Sequence, residues 1–508
     1  MDKTNRIIYN TGIVYAQMII AMVISLLSVR YVLQALGEED YGVYMLVAGV
    51  VALLDILSMS MSNTSMRYMA HSLGKNDLEI SLRTFNTTLL IHYCLAILLA
   101  VILEVGGWIM FEWFLNIPEG RMFAAQVVYQ FMIVTALVTV VSVPFDAVIN
   151  SHENLLFLAV VNIAQSLCII GIALLLFLYD GDRLILYGFL MMLLMVIVRI
   201  VKQLYTRRKY PESKVNFRRY YDKELMKSIL SFTGWDFLNV LAALCSTQIR
   251  GILINMFFGV KLNAAEGIGK KVNSKLNQLS TSITRAITPQ MNKSAGSGDN
   301  KRLIHLTFMG VKFTTFMYCL FAIPLMCEMQ YVLDIWLKDV PAYTALFCQM
   351  CILIRMTSKF TWQITNAIRA VGRIKEMQII ASVLSISGVV VGYFVFKAGA
   401  GPVSIYMIEL LLCFVGTVIN LYFGKKVVGI NPIEYIRKAL LPVILPILAS
   451  LAFIMPILWL MEDGFLRFAL VFGLYLSANT LLFWFFSLSM SERGRMTEII
   501  TKRIRKNK

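Results

Sequence analysis

The chain has 508 residues, of which 58% are hydrophobic and 15% are charged, and its formal net charge is +17. Soluble domains are about 45 to 50% apolar, so this composition excludes a soluble globular protein and indicates a polytopic membrane protein. In a soluble chain such a charge would suggest nucleic acid as a partner. Here most cations lie between apolar segments, so we predict no nucleic-acid binding.

Apolar runs of about 20 residues, the length that crosses a bilayer, recur along the whole chain. They predict about fourteen transmembrane helices in an all-α fold, at residues 10–36, 41–66, 84–110, 122–149, 155–178, 184–201, 229–258, 264–289, 303–327, 342–371, 378–396, 402–423, 439–460 and 468–487. We divide them into a six-helix lobe at 1–201, a basic connector at 202–228, a second six-helix lobe at 229–424, and an extra helix pair with a basic tail at 425–508.

The short connections alternate in charge. Those on one side are rich in Lys and Arg, and the others carry acidic groups such as Glu38-Glu39-Asp40 and Glu462-Asp463. Because cytoplasmic loops carry the excess of Lys and Arg, we predict that both termini are cytoplasmic. The first helices of the two lobes then run in the same direction, which predicts parallel repeats.

An internal repeat supports the two-lobe division. Displacing the chain by 222 residues aligns Thr11-Gly12 with Thr233-Gly234, Gly37 with Gly259 and Gly74 with Gly296. The same displacement pairs the polar segment 264–289 with the apolar span 41–66. The repeat therefore predicts that segment 264–289 also crosses the membrane, against the alternative of a soluble or interfacial amphipathic helix.

Segment 264–289 carries its polar residues on one helical stripe, formed by Lys271, Lys275, Gln278, Ser282 and Arg285. Each cation costs roughly 2.5 to 3.5 kcal/mol at the bilayer centre, so the helix would not insert alone. We predict that the stripe faces water inside the protein, because intramembrane charges usually mark a substrate path.

Further cations lie in neighbouring spans, and together they predict a hydrated cavity that binds an anionic group. Lys271, Lys275, Arg355 and Lys359 are its central candidates. Arg250, Arg285, Arg369 and Arg30 are further candidates, although each of these four lies near the end of a span and could instead extend to the bilayer surface.

Three carboxylates in predicted spans, Asp55, Asp146 and Asp236, are candidates for coupling transport to Na⁺ or H⁺. The alternative is that they pair with nearby cations. The histidines and cysteines lack metal-ligand spacing and no disulfide framework is implied, so we predict neither a metal site nor a cofactor.

The stretch from Arg30 to Tyr44 (RYVLQALGEEDYGVY), with Asn10-Thr11 before it and Ser65-Met66-Arg67-Tyr68 after it, resembles the N-terminal signature of bacterial polysaccharide flippases. These belong to the multidrug/oligosaccharidyl-lipid/polysaccharide (MOP) superfamily. Pro289, which we expect to close the helix at 264–289, also resembles that family. The resemblance implies a V-shaped bundle whose lobes open alternately to each side. It also implies transport of an undecaprenyl-diphosphate-linked oligosaccharide, an O-antigen or exopolysaccharide unit, to the outer leaflet, with Arg30 in a cationic lumen.

The resemblance implies a multi-pass protein of the bacterial cytoplasmic (inner) membrane that is not an enzyme. Its expected partners are the lipid-linked oligosaccharide, membrane lipids and the polysaccharide polymerase machinery, and we expect it to act as a monomer. One alternative is a multidrug exporter or another lipid-precursor exporter of the superfamily. A membrane polysaccharide polymerase or ligase is less consistent with the sequence, since the largest outer loop, at 328–341, is too short for a catalytic domain.

Overall fold

The structure, a computed structural model, describes residues 55–113, 117, 119–337, 340–490 and 492–494, together with single positions and short stretches between residues 12 and 48. All regular secondary structure in these ranges is helical, which confirms the predicted all-α fold.

The long helices of the described ranges are labelled in chain order. They are α1 (Asp55–Gly74), α2 (Leu78–Trp113), α3 (Met122–Ser151), α4 (Leu155–Leu176), α5 (Arg183–Lys209), α6 (Lys223–Phe258), α7 (Val260–Gly296), α8 (Asn300–Cys327), α9 (Thr344–Val371), α10 (Lys375–Lys397), α11 (Ser404–Phe423), α12 (Leu441–Leu460) and α13 (Phe465–Leu482). Shorter helices occupy Phe217–Tyr220, Met329–Leu337 and Pro432–Tyr435, and π-helical turns extend α11, precede α12 and follow α13.

Every predicted span from residue 84 onward coincides with one of these helices. The first predicted span lies largely outside the described residues, and the second is described only from Asp55. By length and composition, ten helices of the described residues could cross a membrane, which makes the chain a multi-pass membrane protein. Helices α1, α7 and α9 are not among the ten. Helix α1 is described only from Asp55, and charged side chains interrupt the apolar sequence of α7 and α9.

The helices are longer than the apolar runs that predicted them. Helix α5 runs on to Lys209, eight residues past the predicted end, and α7 runs on to Gly296. The expectation that Pro289 ends its helix is therefore wrong. Proline removes a single backbone donor, and the turn after it is held by the burial of Gln290 and Met291.

The described residues separate into two compact units, Tyr9–Phe237 and the chain from Leu238 onward, and the division falls within α6. In the first unit α3 is central, and it packs against α1, α2 and α5. Val128, Tyr129 and Leu184 are buried in the core between these helices. A second core cluster lies nearer the other end of α3, where the rings of Phe85 and Phe145 meet edge to face at 5.2 Å.

In the second unit α8 is the most enclosed helix, and it packs against α7, α9 and the C-terminal helix pair α12 and α13. Tyr318 and Cys319 of α8 share one buried cluster with Val443 of α12 and Tyr475 of α13. The ring of Phe316 stacks on that of Phe483 at 3.9 Å. The extra helix pair therefore completes the hydrophobic core of the second unit.

The connector between α5 and α6 folds back on the first unit. The Asn86 side chain donates to the Lys214 carbonyl at 2.9 Å and accepts from the Asn216 amide at 2.8 Å. Glu212 is buried and forms a close hydrogen bond with His152, whose ring stacks on Tyr210 at 4.2 Å. Most basic residues of the segment 202–228 are exposed, among them Arg207, Arg208, Lys214, Arg218 and Arg219, whereas Lys202 is buried.

The contact between Glu212 and His152 makes stability depend on pH. Burial alone would raise the pKa of Glu212, but hydrogen bonds from His152 and from its own backbone amide outweigh burial and hold the pKa below its usual value. Because this pKa is lowered in the folded protein, the carboxylate stabilises the fold above about pH 4.5, and its contribution is lost as the pH falls through the folded-state pKa.

We therefore expect a Glu212→Gln variant to be less stable than the wild type at neutral pH, with the difference shrinking below about pH 4.5. The measurement is the melting temperature of the detergent-solubilised protein across this pH range. Glu224→Gln, at an exposed position at the start of α6, is the control and should keep the wild-type profile. Parallel curves for Glu212→Gln and the wild type would contradict the role given to the contact between Glu212 and His152.

Candidate substrate-binding site

Helix α7 has two distinct faces. Its apolar face is buried through Leu276, Ile283, Ala286 and Ile287 and packs against α8 and α9. Its polar face is exposed at Lys271, Lys275, Gln278 and Arg285, while Ser282 of the predicted stripe is buried. The stripe predicted from the sequence therefore points away from the core of the second unit.

The exposed faces of this unit differ sharply in polarity. Helix α10 exposes Val383, Val390 and Phe394, and α11 exposes Leu411, Phe414 and Val418, as expected of surfaces that contact lipid. Helix α7 instead exposes two lysines and an arginine. Lipid cannot solvate these charges at a tolerable cost, so the polar face of α7 requires an aqueous environment.

A ladder of hydrogen bonds attaches α7 to its neighbours along the edge of its polar face. Lys359 of α9 donates from Nζ to Oδ1 of Asn277 at 2.6 Å, and Gln363, one turn further along α9, donates from Nε2 to Oγ1 of Thr284 at 3.0 Å. Tyr318 of α8 donates to Oδ1 of Asn273 at 3.2 Å. The ladder fixes the rotation of α7 about its own axis, and with it the direction of the lysines.

The two central candidates on α9 differ in their surroundings. Lys359 is 4% exposed, and its ammonium group lies 5.7 Å from the ring centroid of Tyr318. Arg355, one turn earlier, is half-buried. Lys359 thus contributes a bond between helices, and the exposed charge of the site comes from Lys271 and Lys275, with Arg285 further along the same face.

Arg250 lies in a separate, buried ion cluster between α6, α7 and α11. Its Nε donates to Oε1 of Glu266 at 3.0 Å, and its Nη1 makes a close ion pair with Glu409. Lys270 also reaches Oε1 of Glu266, at 2.9 Å. The guanidinium lies over the ring of Tyr406, 5.1 Å from its centroid. The charge of Arg250 is therefore already balanced by carboxylates.

A pocket of about 530 Å³ opens between α6 and α7 beside this cluster. Gln248, Asn255, Glu266 and Lys270 provide its polar lining. Gly267 also lines the pocket, and it lies one helical turn before Lys271 of the exposed stripe. The pocket therefore places the amide groups of Gln248 and Asn255 next to α7, the helix that carries the exposed cations.

The remaining predicted site residues do not lie on the exposed face of α7. Arg369 is half-buried near the C-terminal end of α9. Arg30 lies outside the described residues, as does the side chain of Asp55. The structure brings Lys271, Lys275 and Arg285 onto one exposed face and leaves Arg250 in an ion cluster of its own.

Two of the carboxylates considered for ion coupling, Asp146 and Asp236, lie in the first unit and have protein partners. Asp146 accepts from Arg199 at 2.6 Å and lies 3.4 Å from Nζ of Lys202. Asp236 is buried and accepts from the Ser60 hydroxyl at 3.2 Å. For Asp146 the structure supports the pairing alternative.

The sequence reasoning missed Glu266, Lys270 and Glu409. Glu266 and Lys270 are four residues apart on one helix, a spacing that places opposite charges side by side and could have marked the pair. No local pattern signals Glu409, because its contact with Arg250 joins residues 159 positions apart.

A sequence model of the family described as polysaccharide biosynthesis protein matches residues 4–293. Among curated proteins, no sequence matches this chain significantly.

The chain also resembles solved structures. One is the outward-facing conformation of a multidrug resistance MATE family transporter of the MOP superfamily, with 14% sequence identity and a TM-score of 0.70 over 84% of this chain and 96% of that one. Another is MATE in its bent conformation, with 13% identity and a TM-score of 0.71 over the same shares. A third is a MOP superfamily transporter from Pyrococcus furiosus whose binding pocket has a reversed polarity that suggests a different function, with 14% identity and a TM-score of 0.68 over 84% and 96%. At these identities the similarity shows a shared fold.

The buried ion cluster yields a stability prediction. A Glu266→Gln substitution removes a carboxylate that Arg250 and Lys270 share, so we expect the free energy of unfolding to fall by about 3 kcal/mol, as for other buried pairs that lose one partner. The measurement is thermal unfolding in detergent. Glu376→Gln, which breaks the exposed pair with Lys426, is the matched control and should leave unfolding unchanged. Equal effects of the two substitutions would show that the cluster is not structural.

Proposed function

Because this chain belongs to the polysaccharide biosynthesis protein family, we propose that it is a flippase that moves a diphosphate-linked oligosaccharide on a polyprenyl lipid from the inner to the outer leaflet. The family and the fold are those of transporters, and we infer that the protein acts without chemical catalysis. In this proposal it resides in a bacterial cytoplasmic membrane with both termini in the cytoplasm.

The exposed cationic face of α7 carries this proposal. A lipid diphosphate has about two negative charges and several acceptor oxygens, which Lys and Arg bind with charge-assisted hydrogen bonds. In a membrane-enclosed chamber of reduced dielectric these attractions are several times stronger than on a protein surface. Lys271 and Lys275, with Arg285 further along the face, provide this complement without a carboxylate on the same stripe.

Neutral polar groups beside the stripe suit the sugar part of such a substrate. Gln278 is exposed on the same face, and Gln248 and Asn255 line the pocket between α6 and α7. Amide side chains donate to and accept from hydroxyl groups. We propose that the diphosphate contacts the lysines and that the first sugars contact these amides.

The membrane potential provides a driving force for this transport. With the cell interior negative, two charges moved outward across the full potential gain roughly 4.6 kcal/mol per 100 mV. We therefore propose transport without a dedicated Na⁺ or H⁺ site, which agrees with the pairing of Asp146 to Arg199 and Lys202. We propose a functional monomer that hands its substrate to the polysaccharide polymerase machinery.

A multidrug exporter is the second candidate, because structures of MATE transporters share the fold. Exported drugs that are cations would be repelled by a face carrying Lys271, Lys275 and Arg285. The charge of this face therefore favours the anionic lipid substrate.

The lysine pair provides the test. A Lys271→Gln, Lys275→Gln double variant loses two charge-assisted hydrogen bonds worth about 1.5 to 3 kcal/mol each, so we expect export to fall by at least about tenfold. The measurements are surface polysaccharide and the accumulation of lipid-linked repeat units. The charge-conserving pair Lys271→Arg, Lys275→Arg should restore most of the export.

Lys301→Gln, an exposed position at the start of α8, is the control for lost positive charge and should export normally. Membrane levels of all variants are compared by immunoblot, since a folding defect would lower them. Undiminished surface polysaccharide in the double glutamine variant, at normal protein level, would refute the proposed role of the stripe.

A further inference from the structure

A groove lined by carboxylates, amides and aromatic rings lies in the first unit, between the adjoining ends of α2 and α3. Its volume is about 390 Å³, within the roughly 300 to 1,000 Å³ typical of ligand pockets. The groove contains none of the exposed cationic residues of α7 (Lys271, Lys275 and Arg285). None of its lining residues was singled out from the sequence.

Each helix contributes one continuous face to the groove. Helix α2 presents Glu104, Trp108 and Glu112 at intervals of four residues, and α3 presents Phe123, Gln126 and Gln130 at intervals of three and four. These spacings place each set on one side of its helix. Carboxylates and an aromatic ring on one wall thus face amides and an aromatic ring on the other.

The floor of the groove is built by close packing of the two helices. A Cβ atom on Gly107 would lie 2.2 Å from Cε1 of Tyr129, so only glycine allows this approach. The Tyr129 hydroxyl donates to the Leu103 carbonyl at 2.7 Å, and its ring meets that of Phe111 edge to face at 5.4 Å. The helices are therefore held together beneath the groove, which keeps its walls at a fixed separation.

The groove lies at a membrane boundary. Glu104 follows Thr84, where the predicted span begins, by a helical rise of about 30 Å, the thickness of the hydrocarbon core. Helix α2 continues past this depth to Trp113. In the orientation proposed above, this end of α2 faces the outer side, where a translocated substrate is released.

The lining combines open aromatic surface with hydrogen-bonding groups. Trp108 is 66% exposed and Phe123 is 71% exposed. Between them, Gln130 donates from Nε2 to Oε2 of Glu104 at 3.1 Å, which orients the carboxylate. Within the described ranges neither Glu104 nor Glu112 forms a salt bridge. The groove is therefore acidic, and it disfavours phosphate and anionic lipid headgroups.

We propose that this groove binds carbohydrate. The apolar face of a sugar ring packs on an aromatic ring, while its hydroxyl groups donate to carboxylates and exchange hydrogen bonds with amides. The lining satisfies both requirements at once. The choice of ligand rests on the proposed function, and the groove would hold the oligosaccharide of the substrate after the diphosphate has left the cationic face.

A lipophilic cation is the other chemistry that exposed aromatics and carboxylates attract. Two observations favour a sugar over a lipophilic cation as the ligand. Gln126 and Gln130 contribute neutral hydrogen-bond donors that a cation does not use, and one carboxylate oxygen of Glu104 already accepts a hydrogen bond from the Gln130 amide. The groove also lies at the boundary of the membrane, where the oligosaccharide of a lipid-linked substrate is hydrated.

The experiment measures glycan binding directly on the full-length protein in nanodiscs. An array of bacterial surface glycans identifies the best-retained oligosaccharide, and its dissociation constant is then measured by titration. We expect Trp108→Ala to weaken binding by about tenfold or more, and Glu104→Gln to weaken it by about fivefold, since one strong acceptor is lost. Trp113→Ala removes an equally exposed tryptophan that does not line the groove, and it should bind as the wild type does.

Further measurements separate this inference from the proposed function. The groove variants should bind undecaprenyl diphosphate without a glycan as tightly as the wild type, whereas the Lys271→Gln, Lys275→Gln variant should lose that binding and keep the glycan. Glycan retention that is absent, or that is equal in the wild type and Trp108→Ala, would overturn the inference. The inference would also be overturned if the protein bound no glycan but bound tetraphenylphosphonium in a way that depended on Trp108 and Glu104. The ligand of the groove would then be a lipophilic cation.

Discussion

The cost of a charge in lipid is the constraint on which the second unit depends. Helix α7 carries three cations on a face that its own unit does not cover, and hydrocarbon would penalise each by several kcal/mol. The helix is tolerable in a membrane only if that face meets water. The exposed cations that make α7 a poor membrane helix are therefore the feature on which the proposed substrate site rests.

Hydrogen bonds and ion pairs to neighbouring helices hold α7 in place. The ladder from Asn273, Asn277 and Thr284 to α8 and α9 provides them on one flank, and the ion cluster around Glu266 provides them near the start of the helix. The buried apolar face of α7 directs Leu276, Ile283 and Ile287 toward the core of the second unit, and the polar bonds restrict its rotation further. The polar bonds are directional, so they select the rotation that exposes the lysines.

Two surfaces of the described residues differ in charge. The α7 face is cationic and the groove between α2 and α3 is acidic and aromatic. A lipid-linked oligosaccharide has two chemically different parts, an anionic diphosphate and a hydroxyl-rich glycan. A transporter of such a molecule needs a surface for each, and one kind of lining cannot serve both, since carboxylates that bind hydroxyl groups repel phosphate.

The sequence by itself determined the helical, multi-pass architecture, because apolar runs of bilayer length admit no other regular structure. It also determined the amphipathic character of α7, since a spacing of three and four residues places Lys271, Lys275 and Arg285 on one face in any helix. Only the tertiary structure decided which cations remain exposed. In the sequence, Arg250 and Lys359 are cations within predicted spans, as Lys271 is. In the structure, however, Arg250 lies between Glu266 and Glu409, and Lys359 donates to Asn277. Such pairings join residues far apart in the chain, and the groove at Glu104 and Gln130 likewise exists only where two helices meet, so no local pattern could have revealed them.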